Sequence, residues 1–171
     1  MKQLIILIII AVSIVCLGNN NEYIEIPSTS IRMRVIGASN SDEDQKEKRI
    51  VKSFVEEKLY ELLDGVSSER EVEEMIEKHK SELDKDVVAS MRRENIKATY
   101  NSKFGYNYFP EKEFKGSIYK AGNYKSFVVT LGDGEGENWW CVLYPPLCLI
   151  DDEKDDLEYH SLIKDTIEKY N

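Results

Sequence analysis

The amino-acid sequence predicts one α+β domain, with helices packed on one face of a mainly antiparallel sheet. A chain of 171 residues is long enough for one well-formed core. An early segment alternates apolar and polar residues with the period of a strand, the middle of the chain has helical spacing, and the second half returns to the strand period. One strand, then helices, then several strands is the order typical of an α+β fold.

The first residues have the composition of a secretory leader. Lys2 supplies a positive start, and the run from Leu4 to Leu17 is almost entirely aliphatic but shorter than the ~20 residues that span a bilayer comfortably. We expect residues 1–18 to be a signal peptide or, if uncleaved, a membrane anchor through residues 3–17. Residues 19–30 are then expected to form a linker.

The composition excludes some classes of partner. The chain carries a net charge of −9, and loss of the leader removes Lys2 but no acidic residue. So negative a chain repels phosphate backbones, which disfavours nucleic-acid binding, and it is also repelled by anionic membrane surfaces. We therefore expect membrane contact only through the leader.

The first predicted strand spans Ile31 to Ile36, where apolar and basic residues alternate. One side of such a strand enters the core, and Arg32 and Arg34 lie on the other side. Ser41 then precedes three acidic residues, which is a favourable start for a helix. Apolar residues at helical spacing follow until Gly65, which ends this helix.

A second helix is predicted to begin at Ser68, which forms a capping box with Glu71. Its apolar stripe breaks near Asp84, and a further short helix is expected after that break. The strand period then returns, first in Ile96 to Asn101 and again in Phe127 to Leu131. The sequence therefore predicts that the sheet is completed by the second half of the chain.

The last predicted strand, Trp139 to Tyr144, is apolar throughout, as expected of a strand covered on both sides. The glycine-rich segment 132–138 before it is predicted to be a hairpin loop, whose glycines permit positive φ and whose acidic side chains stay in water. In this interpretation residues 31–150 form a single domain, and residues 151–171 form an acidic C-terminal helix or tail.

The sequence contains no recognisable catalytic, metal or cofactor motif. His79 and His160 are the only histidines, and no His-Glu-x-x-His, Gly-x-Ser-x-Gly or Asp-Thr-Gly motif is present. In segment 132–138 the acids disfavour phosphate, and no bidentate acid follows at the spacing of a calcium loop. A chain with 32 acidic residues could still use two carboxylates to cleave glycosidic bonds. A small secreted peptidoglycan hydrolase is therefore the alternative to a non-catalytic protein.

Two cysteines, Cys141 and Cys148, remain after loss of the leader, in a compartment where disulfides persist. A fully extended chain would part them by ~23 Å, whereas a disulfide requires Cα atoms ~4.4–6.8 Å apart. Pro145 and Pro146 between them either reverse the chain or hold it extended and keep the thiols apart. We predict the disulfide, which also removes Cys141 as a nucleophile for His160.

Two stretches of the sequence resemble a known family. They are IRMRVI from residue 31, followed by SNSDEDQ from residue 39, and GDGEGENWWCVLYPPLC from residue 132. Both are similar to stage II sporulation protein R, a family of endospore-forming bacteria. The turn at residues 37–41 reads Gly-Ala-Ser-Asn-Ser where the family usually has Ala-Asn-Ser-Asp-Ser, and the resemblance ends at about Asp151.

The resemblance implies a secreted signalling protein without enzymatic activity. Members of the family are made in the forespore and secreted into the space between the forespore and mother-cell membranes. There they are needed to activate a membrane-embedded aspartic protease that processes the precursor of sigma-E. The resemblance thus implies that this protease is the partner and that no cofactor is required.

Contact with such a partner is expected at the end of the molecule that joins the turn from Ser39 to Gln45 with the segment from Trp139 to Cys141. Adjacent residues of a strand point to opposite faces, so one of the two indoles is left for a partner or for the tail helix. A second candidate surface is the basic sheet face of the first strand. The residues predicted to bind a partner are Ser39, Asp44, Gln45, Trp139, Trp140, Arg32 and Arg34.

Overall fold

The computed structural model describes residues 23–150 and 155–170. The predicted leader, residues 1–18, lies outside the described residues, as do residues 151–154 of the predicted tail. Within the described ranges, no helix has both the length and the apolar composition needed to cross a bilayer.

The chain forms seven strands and three α-helices within the described residues. In chain order the elements are β1 (Ile24–Glu25), β2 (Ile31–Ile36), α1 (Asp42–Leu63), α2 (Glu69–Arg93), β3 (Tyr100–Phe109), β4 (Lys112–Phe114), β5 (Ser117–Tyr119), β6 (Gly122–Leu131), β7 (Asn138–Tyr144), a 3-10 turn (Leu147–Leu149) and α3 (Asp156–Tyr170). The predicted α+β class is confirmed.

The central sheet has the strand order β3-β6-β2-β7, so β7 is an outer strand. Strand β2 is antiparallel to β7, and β3 is antiparallel to β6, as the sequence predicts for most of the sheet. The pair β2–β6 in the middle is parallel, which makes the sheet mixed. A parallel pair requires a long crossover, and the two helices α1 and α2 lie within that crossover.

Both long helices begin at the caps that the sequence predicts. The Ser41 hydroxyl accepts a hydrogen bond from the backbone N–H of Asp44, and the Ser68 hydroxyl accepts one from the backbone N–H of Glu71. These bonds satisfy N–H groups that have no partner inside the helix. The caps therefore fix where each helix starts.

The main core lies between α1, α2 and one face of the central sheet. Met33 and Val35 of β2 and Phe127 of β6 are fully buried there, together with Val55 of α1 and Ile76 of α2. Burial of each such side chain contributes roughly 1.5–3 kcal/mol relative to exposure. Apolar packing on this face therefore holds the helices to the sheet.

The helix break predicted near Asp84 is wrong, because α2 runs without interruption through this residue. The Asp84 carboxylate accepts hydrogen bonds from the Tyr100 hydroxyl at 2.9 Å, the Ser102 hydroxyl at 2.5 Å and the Lys80 ammonium at 2.7 Å. Asp84, which interrupts the apolar stripe, thus connects α2 to β3 through hydrogen bonds and does not end the helix.

We expect Asp84→Asn to lower the free energy of unfolding at neutral pH by about 1–2 kcal/mol, because charge-assisted hydrogen bonds are lost. Burial alone would raise the pKa of Asp84, but the hydrogen bonds from Lys80, Ser102 and Tyr100 outweigh burial and hold the pKa below its usual value. A depressed carboxylate pKa adds stability above the unfolded pKa, near 3.8, and that stability is lost as the pH falls through the folded pKa. Urea unfolding at neutral pH and at several acidic values measures both effects. An equally steep acid loss in the variant would contradict the role of Asp84.

A smaller layer packs on the other side of β7. The strands β1, β4 and β5 form a three-stranded sheet in the order β1-β5-β4. Helix α3 contributes Tyr159 and Ile163 to a second core, which also contains Ile26 and Val142. Most of α3 therefore packs away from α1 and α2, whereas Tyr170 at its end packs against the main core. The predicted linker is partly built into the fold, since β1 pairs with β5 and Ile26 is buried.

Candidate partner-binding site

The turn after β2 and the loop before β7 are hydrogen-bonded to each other at one end of the central sheet. The backbone N–H of Gly136 donates to the carbonyl of Gly37 at 2.9 Å, and other backbone bonds join the same two segments. We call this piece of structure, residues 37–45 together with residues 132–138, the junction. The structure thus brings together the two stretches that carry the family resemblance.

The loop over residues 132–138 is not the predicted hairpin. Because β2 lies between β6 and β7, the loop must pass over the end of β2, where it meets the turn that follows this strand. Gly132 and Gly134 have positive φ values of 54° and 70°, as the sequence predicts. Gly136 is needed for a different reason: an added Cβ would collide with the backbone carbonyl of Ser39 and lie 2.8 Å from that of Gly37.

A buried lysine connects the junction to α1. Lys48, only 7% exposed, donates to the Gln45 side-chain oxygen at 2.5 Å and to the backbone carbonyl of Glu137 at 2.9 Å. Gln45 in turn donates to the Ser39 carbonyl at 2.8 Å, and the Ser39 hydroxyl donates to the Asp44 carboxylate. Burial lowers the pKa of Lys48. The polar groups of this turn therefore hold the junction in one shape.

Sequence reasoning identified Ser39, Asp44 and Gln45 but missed Lys48. The position of Lys48 could have identified it, because it lies three residues before Val51 and on the buried stripe of α1. A lysine on an apolar stripe must find acceptors, and here the loop supplies one of them. The partner-binding role of Ser39, Asp44 and Gln45 stays a prediction.

The two tryptophans lie on opposite faces of β7, as the alternation of strand residues predicts. Trp139 packs against the main core, and the Lys52 ammonium lies 4.5 Å from its ring centroid. Trp140 packs edge-on against Phe109, with ring centroids 5.7 Å apart, and the Lys112 ammonium lies 5.4 Å from the Trp140 ring. Both indoles remain partly exposed, so each one keeps surface that a partner can reach.

The two arginines of β2 do not form the open basic surface that the sequence suggested. Arg32 is only 2% exposed, and its guanidinium carbon lies 3.3 Å from the centroid of the Tyr124 ring and 5.4 Å from that of Phe109. Arg34 lies 5.1 Å from the same Phe109 ring. Burial lowers the pKa of both arginines, although a guanidinium stays charged at neutral pH. Aromatic rings therefore replace part of the water around these cations.

A cavity of about 370 Å³ lies beside β7, and we call it the β7 pocket. Its lining consists of Arg32, Lys52, Phe109, Lys112, Phe114, Tyr119, the five β7 residues 138–142, Leu147, Cys148, Ile150 and Tyr159. Three of these side chains are cationic, and no Asp or Glu is among the described residues that line the pocket. The pocket is therefore positive and aromatic, on a chain whose net charge is −9.

The predicted disulfide between Cys141 and Cys148 is present, with Cα atoms 5.4 Å apart. The chain reverses at the two prolines, where the Tyr144–Pro145 peptide is cis, and the 3-10 turn then returns beside β7. Both cysteines line the β7 pocket, so the bridge fixes one of its walls. The sulfur atoms lie near the Glu56 carboxylate, but as a disulfide they do not offer thiolate ligands to a metal.

Replacement of both cysteines by serine is expected to lower the free energy of unfolding by about 2.5 kcal/mol, the chain-entropy value for so short a loop. Urea unfolding of the native protein, with and without reductant, measures this loss. Mass spectrometry under non-reducing conditions should show one intramolecular link and no free thiol. Alkylation of both cysteines without prior reduction would contradict the bridge.

Two groups considered for catalysis have other partners in the described residues. The Nδ1 atom of His79 lies 3.4 Å from the Glu82 carboxylate on the surface of α2. Cys141 is bonded to Cys148 and offers no thiolate to His160. The junction and the β7 pocket are therefore taken together as the candidate recognition surface.

Comparison with known proteins identifies the family. A family model described as stage II sporulation protein R matches residues 27–154. The chain belongs to the stage II sporulation protein R family. Stage II sporulation protein R of Bacillus subtilis (strain 168) is 33% identical over 133 residues, which cover 78% of this chain and 59% of that protein. This chain thus spans less than two thirds of that relative's length. No solved structure matches significantly.

The family match covers both parts of the candidate recognition surface. The junction and β7 lie inside residues 27–154, whereas most of α3 lies outside that range. Membership of this family places the chain among the proteins of sporulation. The resemblance that the sequence suggested is confirmed.

Proposed function

We propose that this chain is a secreted intercellular signalling protein of endospore formation. It is made in the forespore and is required to activate a membrane-embedded aspartic protease that processes the precursor of sigma-E in the mother cell. The observation that carries this proposal is the family match over residues 27–154. The Cys141–Cys148 disulfide supports export, because such bonds persist in oxidising compartments.

The lining of the β7 pocket supports a non-catalytic role. Carboxylate-based glycoside cleavage needs two acidic side chains across the scissile bond, and the described lining contains none. Its tryptophans and arginine are instead the residue types that dominate protein recognition. The protein therefore acts on its partner by binding.

Co-expression in a non-sporulating host tests the activator role. The host expresses the candidate protease and the sigma-E precursor, with this chain absent, with its leader intact, or with residues 1–18 deleted. We expect processing of the precursor only when the chain is present with its leader. Processing that does not depend on this chain, or that survives deletion of the leader, would contradict the proposed route.

A cell-wall assay separates this role from the hydrolase alternative. The purified protein is incubated with cell walls, and soluble muropeptides are measured. We expect no release above a heat-denatured control. Release that is lost when one Asp or Glu is replaced would establish the hydrolase in its place.

A further inference from the structure

Three buried hydrogen-bond donors lie close together on β2 and β7. The Nη2 atom of Arg32, the Nε atom of Arg34 and the Nε1 atom of Trp140 are inaccessible to water and have no acceptor among the described residues. Arg34 and Trp140 are directly opposite in the β2–β7 register. Buried donors in native proteins almost always have acceptors. These three donors are thus unsatisfied, and an acceptor from outside reaches them when the side chains that cover them move aside.

Two of these donors belong to the β7 pocket, since Arg32 and Trp140 both line it. The charged side chains among the described lining residues are all cationic. Arg32 is enclosed by aromatic rings, and Lys112 faces the rings of Phe114 and Trp140. Within the described part of the chain, the nearby carboxylate is that of Glu56, which lies 2.7 Å from Lys52 and close to the disulfide. An acceptor with negative charge therefore matches both the donors and the field of the pocket.

The shape of the pocket indicates an extended ligand. Five consecutive residues of β7 line it, and β7 pairs with β2 but with no further strand among the described residues. The returning 3-10 turn lies beside Cys141, with the Cα atoms of Cys141 and Cys148 5.4 Å apart, so the edge that a peptide can extend as a further strand is the first part of β7, Asn138 to Trp140. Trp139, which lies on the opposite face of β7 from Trp140 and also lines the pocket, provides apolar surface for the side chains between the acidic ones.

We propose that the β7 pocket binds an extended acidic segment of the partner protein. The segment runs along β7, and one of its Asp or Glu carboxylates accepts hydrogen bonds from Arg32 and Trp140. A neighbouring acidic side chain pairs with Lys112 at the rim. The identity of the partner as the protease rests on the proposed function, whereas the chemistry of the ligand rests on the pocket alone.

A peptide titration tests the proposal. The probe is the capped peptide Glu-Val-Glu-Val-Glu, added to the ¹⁵N-labelled native protein, and the indole N–H signals of its two tryptophans are followed by NMR. We expect both signals to shift, that of Trp140 farther downfield because its N–H gains a carboxylate acceptor. The neutral peptide Gln-Val-Gln-Val-Gln should bind about tenfold more weakly. Equal binding of the two peptides, or unchanged indole signals, would overturn the proposal.

Variants of the pocket give a second measurement. Arg32→Gln should weaken binding of the acidic peptide about tenfold, provided that its near-UV circular dichroism shows a native fold. Lys112→Gln alters an exposed rim residue and should weaken binding about threefold without a folding defect. Lys120→Gln is the matched control, because Lys120 is exposed and pairs with Glu25, and neither residue lines the pocket. Wild-type affinity in Lys112→Gln would count against the pocket.

The two proposals can fail separately. The titration contains no protease, so a negative result overturns the acidic-peptide site and leaves the activator role to the co-expression experiment. Conversely, peptide binding that persists while co-expression shows no activation overturns the activator role alone.

Discussion

Trp140→Ala is expected to reduce protease activation about thirtyfold, the effect of a side chain that anchors an interface. The loss of stability should be modest, about 1–2 kcal/mol, because the indole is partly exposed and packs mainly against Phe109 and the Lys112 side chain. Activation is measured as processing of the sigma-E precursor on co-expression, and stability as the melting temperature of the same variant.

Trp139→Ala is the control for this experiment. Trp139 packs against the main core, so its truncation should cost more stability, about 2–3 kcal/mol, for a smaller specific loss of activation. If every Trp140 variant that fails to activate also has a melting temperature as low as that of Trp139→Ala, the interface assignment would be wrong. Trp140 would then serve only to hold β7 to β3.

Gly136→Ala is expected to lower the free energy of unfolding by about 3 kcal/mol, at the upper end for overpacking. The new Cβ would meet the backbone carbonyls of Ser39 and Gly37, and backbone atoms in a hydrogen-bonded junction cannot move aside as a flexible side chain can. Urea unfolding measures the loss. Since the junction also positions the start of β7, we expect reduced activation in the same variant.

Gly65→Ala is the matched control, because no heavy atom lies within 4 Å of the position where its Cβ would be, although φ is 75°. It should show only the cost of a left-handed conformation, about 1–2 kcal/mol. A loss at Gly136 no larger than the loss at Gly65 would show that the junction adapts to a side chain.

Local patterns in the sequence predicted much of this structure. Several features depend on residues that are close together in the chain. They are the helix caps at Ser41 and Ser68, the alternating residues of β2 and the disulfide. Interactions between such neighbours determine these features, so the sequence predicts them. The proximity of the two stretches of the resemblance was also predicted. Their meeting follows in the structure from β2 and β7 being neighbours in the sheet.

Features that depend on distant pairing could not be predicted in the same way. Alternation showed that Arg32 lies on the face away from the main core, but not that Tyr124 and Phe109 would cover it there. Strands of two or three residues, such as Ile24–Glu25, are too short to show a period. Asp84 looked like a break because two of the donors to its carboxylate, Tyr100 and Ser102, lie on β3, which follows later in the chain.

The order of the central strands also sets the order in which the protein can fold. Among the strands of the central sheet, β2 comes first in the chain, whereas its two neighbours, β6 and β7, come last. Pairing across so long a segment is slow, because the entropy of closing the loop is lost before the contacts form. The local pair α1–α2 can form earlier.

If the chain is exported from its N-terminus, as proposed above, β2 has no neighbour until β6 has crossed the membrane, and it lacks its second neighbour until the residues through Tyr144 have crossed. The junction and the β7 pocket then form together, when β7 pairs with β2. Under the proposed function, a chain that stalls before this point would lack the candidate binding surface, and activation would require export through Tyr144.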